Sequence, residues 1–178
     1  MTFSNNTSYE GGGIFLLFDG TTSSSPIIEN SLFTSNSVSQ RGGGLLVGGG
    51  CEPVVKNTIF EYNEAQTENG GGIMFAWSGG TLTDVTIENN NSGYFGGGMW
   101  ANQSYELMLS GVSFIGNTAA QNGGGWASHV SDAEFSDCLF ENNTASVSIQ
   151  DGNEFGGGAM WLVAVSYTHL TLPTIYSV

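Results

Sequence analysis

Basic residues are almost missing from this chain. Arg41 and Lys56 are the two cations among 178 residues, set against sixteen Asp and Glu, for a formal net charge of −14. Phosphate backbones need Lys and Arg to neutralise them, so the composition excludes nucleic-acid binding. Long apolar runs are missing as well: none approaches the ~18 residues of a membrane-spanning helix. No apolar period of 3.6 residues persists over a useful length. The 28 glycines oppose helix further, since each costs roughly 1 kcal/mol in a helix interior relative to alanine. Proline is scarce, at three residues. Glycine and proline together stay below the roughly 25–30% that marks low-complexity disorder.

What the chain does have is a repeat. An apolar-x-x-Asn motif followed by Gly-Gly-Gly occurs six times, with asparagines at Asn6, Asn36, Asn63, Asn90, Asn117 and Asn143. The steps between them are 30, 27, 27, 27 and 26 residues. A period in the twenties signals stacked supersecondary units, each burying its apolar face against the next. Within one unit, Ile73–Trp77, Thr81-Leu82 and Val85–Ile87 have strand-like content and are separated by turn residues. Three short strands per coil of ~27 residues predict an all-β, right-handed parallel β-helix of five to six coils.

Stacking at the rung spacing of ~4.8 Å puts like residues in columns. One column reads Phe33, Phe60, Ile87, Phe114, Phe140. Two positions earlier, Ser31, Thr58, Val85, Val112 and Cys138 face the same way. A third column reads Ile28, Val55, Leu82, Leu109, Phe135. The asparagine ladder Asn36, Asn63, Asn90, Asn117, Asn143 is expected at a turn, where Asn tolerates left-handed backbone and stacked amides bond to one another. The glycine columns then supply the next corner. The sequons at Asn5, Asn6, Asn90, Asn102 and Asn142 read as turn chemistry. Cys51 and Cys138 are three coils apart, ~14 Å along the axis, too far for a disulfide. Cys138 reads as a core residue and Cys51 as a loop thiol.

The fold domain is expected to span residues 1–164, with the reading frame continuing beyond both ends. Residues 165–178 break the pattern, and Val165–Thr174 resembles the translation of a transposon-end adapter used in DNA library preparation. That segment is expected to stand outside the fold.

Phe33-Thr-Ser-Asn36 with Gly42-Gly-Gly-Leu45, Phe60-Glu-Tyr-Asn63 with Gly70-Gly-Gly-Ile73, and Phe114-Ile-Gly-Asn117 with Gly123-Gly-Gly-Trp126 carry a family likeness. The repeat resembles that of polymorphic outer membrane proteins, autotransporter-type surface proteins known from chlamydiae, over residues 1–164. It departs at Ile87, which replaces the Phe, and in keeping a third glycine where the family more often has Ala. The resemblance implies a secreted passenger displayed at the cell surface, acting in adhesion toward a surface protein or glycan, without catalysis or cofactor.

The alternative is a fragment of a polysaccharide-active β-helix lyase or hydrolase whose catalytic coils lie elsewhere. Asp84 and Asp137 share a corner column with Gly111, which supplies no paired acid and base. Arg41 and His129 read as solvated surface groups, and stacked Glu61 and Glu88 are too few for a calcium site. No catalytic, cofactor or metal residues are therefore assigned. The strand after the glycines offers a contact surface instead. With Ile14, Leu45, Ile73, Met99 and Trp126 inward, the outward positions Phe15, Leu46, Met74, Trp100, Ala127 and Met160 form an apolar stripe, the expected interaction face.

Overall fold

The computed structural model of the protein describes residues 1–18, 25–146, 156–164 and 168–171. The chain winds as a parallel β-helix. The coil opening at Thr86 runs through strands Thr86–Glu88, Asn91–Ser92, Met99–Asn102 and Leu107–Ser110. Repetition of that unit stacks these strands into four parallel sheets, six strands each among the described residues. The first, third and fourth sheets are the three expected from the sequence. The second, typified by Asn91–Ser92, adds a two-residue strand that is too short to show alternation in the sequence.

Register follows the expected columns. Phe3, Phe33, Phe60, Ile87, Phe114 and Phe140 pair in succession along the first sheet. Phe33 and Phe60 stack at 4.5 Å between ring centroids, and Phe114 and Phe140 at 4.6 Å. Ile28, Val55, Leu82, Leu109 and Phe135 pair likewise along the fourth sheet. These columns meet inside the coil in one continuous core. Each fully buried side chain of this size contributes roughly 1.5–3 kcal/mol.

Each coil turns at four corners, and among the described residues one with positive φ stands at each. Between the first and second sheets these are Asn5, Ser35, Tyr62, Asn89, Gly116 and Asn142. The ladder asparagines, expected to take this conformation themselves, follow it by one residue. The left-handed residue swings the chain so that the next side chain points inward, which buries Asn36, Asn63, Asn90 and Asn117. Burial of an amide is tolerable because every valence is used. Asn63 Nδ2 donates to the Phe33 carbonyl at 2.9 Å and to Asn90 Oδ1 at 3.0 Å. Asn63 Oδ1 in turn accepts from the Asn36 backbone N–H at 3.1 Å and Asn36 Nδ2 at 2.9 Å.

The glycine triplets serve the following corner. Gly70 holds φ at +70°, and a Cβ on Gly71 would collide with carbonyl oxygens of Asn91 and Gly97 on the neighbouring coil. A Cβ on Gly72 would stand 2.6 Å from the Gly98 carbonyl oxygen. In the last coil the corner residue is Gly157, not Gly156, with φ +90°. The triplet there is in effect Gly157-Gly158-Ala159.

Two expectations about chain segments change. Cys51 is no loop thiol: it is fully buried in the core at the corner between the third and fourth sheets. Neighbouring coils bury Ser78 and Ser104 at that same corner, and a thiol fits the same small space. Of residues 165–178, Thr168–Thr171 pairs in register with Ala133–Ser136 and extends the fourth sheet. The remainder of that segment lies outside the described residues.

Candidate functional site

The apolar stripe after the glycines is present in register but is not exposed. Phe15, Leu46, Met74, Trp100 and Ala127 are consecutive partners on the outer face of the third sheet. Leu46, Met74, Trp100 and Ala127 are nevertheless buried, and only Phe15 stays largely open, at 45% exposure. They form a second, smaller apolar cluster outside the coil, sealed in part by Phe95 and Trp161. The Phe95 ring, carried on the corner just before Gly96, lies 5.2 Å from Trp100 and 4.9 Å from Trp161. Met160 does not belong to this stripe. The one-residue offset of the last glycine triplet pairs Met160 with inward Trp126 and puts Trp161 beside Ala127.

The residues weighed for catalysis remain dispersed. Asp84, Gly111 and Asp137 share the left-handed corner before the first sheet, and the Asp84 carboxylate lies over Gly111. Glu61 and Glu88 stand in register on adjacent strands, followed by Ile115. His129 is exposed, with Nδ1 3.4 Å from Asn102 Oδ1. Arg41 is more engaged than a solvated side chain: its Nε lies 3.1 Å from Glu10 and 3.0 Å from Glu68. Those contacts are poorly aligned for hydrogen bonding and act as ion pairs. Burial pushes the Cys138 thiol up from its ordinary 9.0, which keeps it protonated and poorly nucleophilic at neutral pH.

Sequence columns did not reveal the corner joining the third and fourth sheets. Here the left-handed positions are held by Trp77, Gln103 and Val130, none of them suited to that conformation as Gly or Asn is. Trp77 is 54% exposed and Tyr105 40%. Buried serines anchor the turn beneath them: Ser78 Oγ donates to the Val47 carbonyl, and the Ser104 backbone N–H donates to Ser131 Oγ. Tyr105 packs back over Gly79, and its hydroxyl reaches within 3.8 Å of where a Cβ on Gly50 would stand.

Beyond this corner two shallow depressions, each about 330 Å³, follow one another over the outer face of the fourth sheet. They share Glu106 and Met108, and Met108 is half exposed. Pairing of Gly80 with Leu107, and of Leu107 with Ala133, sets Gly79, Glu106 and Asp132 in one column just ahead of the strands. Glu52 stands one coil before Gly79, because Val54 pairs with Thr81. The available signal was this phase, but inserted residues that vary the length of this corner from coil to coil obscured it.

A family model for the right-handed β-helix region matches residues 1–156. The chain belongs to that family, whose fold is the solenoid described above. Comparison with curated proteins and with solved structures returns no match.

Proposed function

We propose that this chain is part of a secreted or cell-surface β-helix that works by binding a partner rather than by catalysis, an adhesive passenger of the kind its likeness to polymorphic outer membrane proteins implies. The observation that supports it is the third-to-fourth-sheet corner, where Trp77 and Tyr105 stand exposed on a serine-anchored turn, with half-exposed Met108 on the strand that follows. Solvent-facing aromatic side chains on rigid backbone are the usual anchors of protein interfaces. A solenoid suits that role, since each added coil extends one continuous lateral surface.

The test is adhesion of the purified chain to host or bacterial cell surfaces, beside a Trp77→Ser/Tyr105→Ser variant whose melting temperature matches the parent. At least about tenfold weaker attachment of the variant is expected, as for loss of interface anchors. Equal attachment overturns the reading. Release of new reducing or unsaturated ends from an acidic polysaccharide overturns it in favour of a carbohydrate-active enzyme.

A further inference from the structure

We draw no further inference here: the strongest candidate, the apolar cavity of about 440 Å³ that Phe3, Ile14, Leu16 and Ile28 line at the first-coil end of the core, between strands that pair on one side only, carries nothing because nothing in the structure shows what covers it.

Discussion

Two corners of the same coil obey opposite rules. Between the first and second sheets, Asn36, Asn63, Asn90 and Asn117 each bond through the amide to the asparagines on both sides and to a carbonyl of Phe3, Phe33, Phe60 or Ile87. Between the third and fourth sheets, the turn changes identity and length from coil to coil, with Gly49, Trp77, Gln103 and Val130 at its left-handed positions. The first corner is buried, so any departure orphans polar groups that no water can reach. At the second, Trp77, Gln103 and Val130 face solvent above buried Cys51, Ser78 and Ser104, so a change at those exposed positions costs mainly local strain. Uniformity therefore marks the corner that builds the solenoid, and variety marks the corner whose exposed positions can change without breaking the stack.

The sharpest way to break this contrast is at the ladder. Asn90→Leu keeps the branching of the side chain but strands the Asn63 backbone N–H and Nδ2, and takes a donor from the Phe60 carbonyl. Each buried orphan costs about 1–3 kcal/mol, so a loss of ~3–5 kcal/mol is expected in urea denaturation. A loss under ~1 kcal/mol would show that the ladder tolerates substitution as the exposed corner does. Next comes the stripe on the third sheet. Trp100→Ala removes a buried indole from the outer cluster and should cost ~3 kcal/mol by thermal unfolding. Unchanged stability would return that face to the role of an open contact surface.

The smallest effect runs the other way. Val130 holds φ +49° at the variable corner. A β-branched residue there carries strain of roughly 1–2 kcal/mol, and glycine gives back part of that through its unfolded-state entropy. Val130→Gly should therefore stabilise the chain by ~0.5–1 kcal/mol in the same denaturation experiment. Destabilisation would mean that the Val130 side chain makes contacts that outweigh its backbone strain.

Most of the interior was legible before any coordinates. Phe33, Phe60, Ile87, Phe114 and Phe140 share one column because a solenoid puts equal sequence phase at equal height. The errors arose where phase alone is insufficient. The αL residue was assigned one position late, to the ladder asparagines, because both Asn89 and Asn90 suit a turn chemically and only backbone geometry separates them. Met160 falls on the stripe only if the final triplet begins at Gly156, whereas the chain turns at Gly157. Cys51 looks like a loop thiol in the sequence because an inserted residue hides its equivalence to buried Ser78.

The amino-acid order alone determined the coil length, the identity of the stacked columns and the sign of the charge, since each depends only on which residues recur and how often. Exposure was decided by tertiary structure. Whether Trp100 is covered and Trp77 open depends on where neighbouring corners lay their side chains, Phe95 over one and, among the described residues, nothing comparable over the other. Contacts of that kind join residues with no common phase, so the repeat carries no trace of them.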